Sequence, residues 1–334
     1  VADLAGLREI ASEWRDLVGR CREATPFQTP EWVISWAETF SPQNIRVVAV
    51  RSGNTLLALA PLLIYPRNAE RVLAFMGGGV SDYLDVLLDA HADAELLTAK
   101  ILETVNSMDG WTTLDLTDLP SNSNLNRTSI LTCQTSHDRC SVLKLPHSRE
   151  ELLQLLSKRQ RANLRNARSQ LQRAGGGTVE IANQESLPEF LDDLFRLHAK
   201  RWSRLGEPGV LADESVKAFH RRAAPALLAQ GILRVYRLRV EQFTAAILYT
   251  MRLRDTLFCY LQGFDPDFAH LSPGTYLIFR AMEDAMQLGV HRFDFLRGDE
   301  DYKRHWHPEP ETTYRLQLSR DAIPQQSAKH GLAA

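Results

Sequence analysis

Thr256-Leu257-Phe258-Cys259-Tyr260-Leu261-Gln262 runs into Gly263-Phe264-Asp265-Pro266 and, after a short loop, reaches Ser272-Pro273-Gly274-Thr275. The first seven residues have the apolar, β-prone character of a buried strand. Ser272 is placed to cap a helix, and Pro273 suits its first position, where a missing N–H costs nothing. Gly274 then leaves the next amide open to close approach. Up to residue 288, Leu277, Ile278, Ala281, Met282, Ala285 and Met286 form one helical face, and Arg280, Glu283 and Asp284 the other. A strand that delivers a loop onto a helix N-terminus makes an anion site, suited to phosphate or pyrophosphate. The same letters also describe an ordinary capped helix.

Downstream, Phe293-Asp294-Phe295-Leu296-Arg297-Gly298 is a strand on which Asp294 faces opposite to both phenylalanines. The cluster Asp299-Glu300-Asp301-Tyr302-Lys303-Arg304-His305-Trp306 follows. Asp294, Tyr302 and Lys303 can supply a base, an acid and an anion clamp. The plainer alternative is a short salt-bridged helix.

Upstream, the periodicity predicts helices over 152–174, 187–205 and 215–230, then strands over 233–240 and 244–252. The first half follows the same order. Thr29 and Pro30 are the N-cap and first residue of a helix over 31–39, and Ser52-Gly53-Asn54 turns a hairpin between strands 45–50 and 56–65. A strand over 72–76 precedes Gly77-Gly78-Gly79, an extended run covers 83–88, and helix 94–107 leads to strand 112–116. This parallel order predicts a duplicated α/β unit with mixed sheets, divided as 1–145 and 146–320 with a tail over 321–334.

The 334 residues are 44% hydrophobic and 24% charged, which excludes a disordered or collagen-like chain. A net charge of −2 argues against wholesale binding of nucleic-acid backbones. Cys21, Cys133, Cys140 and Cys259 form no C-x-x-C pair and read as reduced thiols of a cytoplasmic protein. No apolar run is long enough to span a membrane. The histidines, including His305-x-His307, lack metal-ligand spacing, so no metal is expected. There is no G-x-S-x-G elbow, Walker loop or dinucleotide fingerprint.

Tyr260-x-Gln262-Gly263-Phe264-Asp265, the Ser272-Pro273-Gly274 helix start, and Phe293-Asp294-Phe295-Leu296-Arg297-Gly298-x-x-x-Tyr302-Lys303-x-x-Trp306 together resemble the C-terminal signature of GNAT-superfamily acetyltransferase-like proteins associated with cellulose and exopolysaccharide biosynthesis. Pro26-Phe27-Gln28-Thr29-Pro30-Glu31-Trp32, Ser81-Asp82-Tyr83-x-Asp85 and Arg201-Trp202 extend the resemblance over about residues 10–318. The final pattern is also similar to Fem-type peptidoglycan aminoacyl transferases.

The resemblance implies tandem GNAT-like domains of α/β class, with mostly antiparallel mixed sheets flanked by helices. It further implies acyl-CoA (acetyl-CoA) as co-substrate and an amine acceptor, an amino sugar or polysaccharide precursor. On that basis Tyr260, Gln262, Gly263, Ser272, Gly274 and Thr275 are expected to bind the donor. Asp294, Tyr302 and Lys303 are expected to carry the chemistry. Asp82, Tyr83, Asp85, Arg201 and Trp202 are candidate acceptor contacts, although a loop cap and a core tryptophan are equally ordinary uses of these residues. Ser272-Pro273-Gly274 lacks the full Arg/Gln-x-x-Gly-x-Gly/Ala loop of typical GNAT enzymes, which keeps a Fem-like aminoacyl-tRNA-dependent transferase and a non-catalytic binding module as alternatives. The basic residues Lys158, Arg159, Arg161, Arg165, Arg168 and Arg173 form either a solvated helix face or a contact for an anionic ligand or tRNA.

Overall fold

The computed structural model describes residues 1–127, 134–204 and 206–322. Cys133, Leu205 and nearly all of the expected tail lie outside the described residues. The chain divides into two units, Val1–Asp138 together with the segment from Thr312, and Arg139–Glu311. The linear division expected at residue 145 differs from this in two respects: the first unit ends at Asp138, and the segment from Thr312 returns to it.

The first unit begins with α1 (Leu4–Glu9), α2 (Ala11–Arg20) and α3 (Pro30–Phe40). It continues through β1 (Ile45–Ser52), β2 (Thr55–Arg67), β3 (Glu70–Phe75), β4 (Leu87–Leu88), α4 (Ala94–Ser107) and β5 (Thr113–Leu119). β6 (Gln134–Lys144) leads into the second unit, which holds α5 (Arg149–Leu155), α6 (Lys158–Arg173), β7 (Gly177–Ile181), α7 (Leu187–Ser203) and α8 (Glu214–Ala229). Next come β8 (Leu233–Val240), β9 (Phe243–Leu253), β10 (Thr256–Phe264), α9 (Pro273–Gln287), β11 (Arg292–Arg297) and α10 (Asp301–Arg304). β12 (Glu309–Ser319) takes the chain back to the first unit.

Local chemistry explains where several elements start. Thr29 accepts the Trp32 N–H at 3.4 Å and Pro30 opens α3. Asp93 caps α4 in the same way. The helix predicted over 152–174 is instead two, because Ser157 accepts the Gln160 N–H at 3.1 Å and begins a new helix after α5 has ended. Ser272 is not a side-chain cap. It adopts left-handed φ and ψ of 50° and 48°, its hydroxyl caps nothing, and its carbonyl accepts the Tyr276 N–H at 3.1 Å. Of the extended run 83–88, only Leu87–Leu88 forms a strand, against Leu59 and Ala58 of β2, while the Leu84 N–H donates to the Asp118 carbonyl at 3.0 Å.

In the first unit the strand order is β1-β2-β3-β5-β12, with β1/β2, β2/β3 and β5/β12 antiparallel and β3/β5 parallel. The second unit repeats this as β8-β9-β10-β11-β6, parallel only at β10/β11, with β7 added beside β8. The parallel pairs need crossovers, and α4 and α9 supply them. The duplication predicted from element order is therefore present in the connectivity, as mixed, mostly antiparallel sheets flanked by helices.

Both parallel pairs are short. β3 meets β5 only at Val72↔Thr113 and Leu73↔Leu114, and β10 meets β11 only from Thr256↔Arg292 to Phe258↔Asp294. Each unit has its own core, centred on Ile64, Leu73, Ile101 and Trp111 in the first, and on Leu257, Leu277, Met282, Phe293 and Trp306 in the second. The predicted apolar face of α9 is buried there.

Candidate active site

The parting of β10 and β11 organises the second unit. β10 stays on β9 through Phe264, but a bulge between Cys259 and Leu261 leaves Tyr260 out of register. On its other edge the pairing with β11 ends at Phe258, so the peptide groups of residues 260–262 have no β11 partner. The Tyr260 ring packs 5.8 Å from Tyr249 and 5.6 Å from His220.

Gly263 serves helix packing. A Cβ there would lie 2.9 Å from the His198 nitrogen and 3.0 Å from the Leu197 carbonyl carbon, so only glycine lets α7 rest on β10. Just under one turn further along α7, the Arg201 guanidinium lies over the Phe264 ring, 5.6 Å from its centroid. Trp202 is half-buried, 5.8 Å from the His198 ring. Tyr302, from α10, is joined to Gln262 by a side-chain hydrogen bond. Burial holds its phenol above the usual tyrosine range, the neighbouring Cys259 and Glu300 add to this, and the Arg201 charge opposes it. The structure thus brings together Gln262, Arg201 and Tyr302, which are far apart in sequence.

The helix mouth lies open. Ser272, Gly274 and Thr275 are partly exposed, and a Cβ on Gly274 would meet only the Phe264 ring, at 4.0 Å. The Gly274 and Thr275 N–H groups precede the first bond of α9, from Tyr276 to Ser272, so they point outward with the positive end of the helix dipole.

Lys303 and Asp294 are used differently from expectation. The buried ammonium of Lys303 donates to the carbonyls of Arg297 at 2.6 Å, Leu296 at 3.2 Å and Gly298 at 3.3 Å, and pairs with Glu300 at 2.8 Å. Its charge is fully engaged by the loop, which corrects the reading of Lys303 as an anion clamp. Asp294 is buried, and its Oδ1 accepts the Leu296 N–H at 2.7 Å. The pair holds a turn in which Leu296 takes a left-handed φ of 61°.

In the first unit, Asp85 is buried. It accepts hydrogen bonds from the Val86 N–H and the Ser123 hydroxyl, both at 2.8 Å, and from the Asn124 N–H at 2.6 Å. Burial outweighs these donors and pushes its carboxyl up to about 7. Tyr83 is also buried, 6.4 Å from the Phe27 ring, whereas Asp82 is partly exposed. Tyr83 and Asp85 therefore anchor the loop after the triple glycine rather than line an acceptor surface.

Sequence spacing gives no sign of two buried imidazoles, His198 on α7 and His220 beside Tyr260. Burial lowers His198 to about 4, with the Arg201 charge adding to it, and lowers His220 to about 3, so both rings are neutral near pH 7. α8, β9 and β10 bring His220, Tyr249 and Tyr260 together from three separate stretches of chain. One trio with ligand-type atoms within 4.8 Å of each other, Asp118, His137 and Asp138, lies in the first unit and also has no sequence signature.

Residues 158–304 match the acetyltransferase (GNAT) domain. That span runs from the first residue of α6 to the last of α10, so it contains β10, α9, β11 and Tyr302. No curated protein sequence matches the chain. Among solved structures, FemX is similar with a TM-score of 0.66 at 12% identity, over 92% of this chain and 96% of that one. A conserved protein of unknown function from Bacteroides thetaiotaomicron gives 0.63 at 13% identity, over 95% and 97%. The C-terminal domain of a putative lysylphosphatidylglycerol synthetase from Agrobacterium fabrum gives 0.57 at 14% identity, over 92% of each chain. At these identities the likeness is one of fold.

Proposed function

We propose that the second unit is an N-acyltransferase that moves an acyl group from acyl-CoA, acetyl-CoA being the simplest, to an amine. What supports this is the parting of β10 from β11 next to an unobstructed α9 N-terminus, within a span that matches the GNAT domain. The donor diphosphate rests on the Gly274 and Thr275 N–H groups. The thioester lies along residues 260–262, whose peptide N–H groups stabilise the oxyanion as a neutral amine attacks the carbonyl carbon. The new C–N bond forms, the C–S bond breaks, the amine proton leaves to water, and Tyr302 protonates the departing thiolate. Arg201 eases proton release from that phenol. Asp294 and Lys303 keep the turn that carries Tyr302 in place. An acceptor of the amino-sugar class rests on the family resemblance alone.

Calorimetric titration of the full chain with acetyl-CoA tests the reading. One saturable site, lost in Gly274→Trp, supports it; no heat from the unmodified protein overturns it. A second reading, transfer from aminoacyl-tRNA, draws on α6, where Lys158, Arg159, Arg165, Arg168 and Arg173 are exposed and have no ion-pair partner among the described residues. Binding to charged tRNA and not to acetyl-CoA would favour it.

A further inference from the structure

The second unit has a cavity between the start of α5, α6, the start of β7 and the face of α9 that runs from Tyr276 to Gln287. Its volume is about 700 Å³, within the range of small-molecule sites. Arg149, Arg168 and Arg280 line it, with Glu283 and Asp284 as the acidic side chains. These charges do not balance. Asp284 is already neutralised by Arg234, through bonds of 2.6 Å and 2.8 Å, and accepts a further bond of 2.7 Å from the Tyr236 hydroxyl. Glu283 is shared between Arg149 at 2.5 Å and Arg280 at 2.9 Å. Arg168 has no side-chain hydrogen bond or ion pair among the described residues.

Three guanidinium groups thus face one available carboxylate, leaving two positive charges in excess in a concave site. Concavity focuses such a field, and the planar guanidinium fork matches phosphate oxygens in pairs. We propose that this cavity binds a diphosphate-bearing small molecule, with Arg168 as its principal contact and Arg149 and Arg280 completing the cage. Ser272, Gly274 and Thr275 do not line the cavity, so the proposal goes beyond the acyl-transfer reading. It also gives a specific use to one residue of the basic α6 stripe, whereas Arg161 of the same stripe donates to the Leu153 and Leu156 carbonyls, closing the end of α5.

Titration of the full chain with inorganic pyrophosphate at constant ionic strength tests the proposal. It is done in the Gly274→Trp background so that the donor mouth does not contribute. One saturable site is expected there, weakened about tenfold or more by Arg168→Glu and less by Arg168→Lys, which keeps the charge but not the fork. Lys158→Glu, on the same helix but outside the cavity, is expected to change it little. ADP run in parallel separates a free diphosphate, bound equally well, from an esterified one, bound more tightly. Absence of a site in the Gly274→Trp background, or equal weakening by Lys158→Glu and Arg168→Glu, overturns the proposal. The first outcome does so without touching acetyl-CoA binding by the unmodified protein.

Discussion

Lys303 donates to the carbonyl oxygen of Arg297 at 2.6 Å, closing the turn between β11 and α10 from within. An ammonium buried under three carbonyls is a fastening, and Tyr302 is the residue beside it in the chain. Lys303→Met strands those carbonyls and leaves Glu300 without its partner. Stability is expected to fall by about 2–4 kcal/mol. Urea unfolding of the two proteins measures this, and an unchanged midpoint would refute the clamp.

Gly263→Ala forces a methyl group against the backbone of α7, which cannot yield as a flexible side-chain tip would. A loss of about 1–3 kcal/mol is expected. Because α7 also carries Arg201, turnover should fall further than folding alone explains when assayed well below the unfolding temperature.

Tyr302→Phe removes the proposed acid while keeping the ring. The expected result is a kcat lower by about a hundredfold, with acetyl-CoA affinity unchanged in calorimetry. Undiminished turnover with a true acceptor would dismiss the phenol from the chemistry.

Asp85 has a sign that can be checked. Its carboxyl sits at about 7 when folded against a reference of 3.8, so across that interval the folded protein holds a proton that the unfolded chain releases. Stability from this group is therefore fully present below pH 3.8 and is lost as pH rises to about 7. Asp89, Asp115 and Asp193, whose carboxyls are lowered, act in the opposite direction at lower pH. Asp85→Asn should remove the downward slope contributed by Asp85, read as the difference between unfolding free energies at about pH 5 and about pH 7.5. Parallel pH profiles for the two proteins would contradict the assignment.

Much of the framework is legible in the letters because it rests on local rules. The 45–67 hairpin, the Thr29-Pro30 start of α3 and the apolar face of α9 follow from turn chemistry and periodicity. β6, β7 and β12 do not, because their stretches are largely polar and they become strands only by pairing with distant partners. The break between α5 and α6 did have a sign, Ser157 three residues before Gln160, hidden inside a longer helical pattern. At the site, residue types pointed to Gln262, Gly274 and Tyr302. They could not reveal that Lys303 folds back onto its own loop, or that Gly263 faces a helix, since both depend on how far the backbone travels between elements.

The return of β12 to β5 bears on how the polypeptide is made. Although the first unit is translated first, the strand that completes its sheet is made only after the second unit. The nascent chain must therefore hold an unfinished sheet edge while the whole second unit is synthesised, and a message truncated near residue 311 would release a protein with that edge bare.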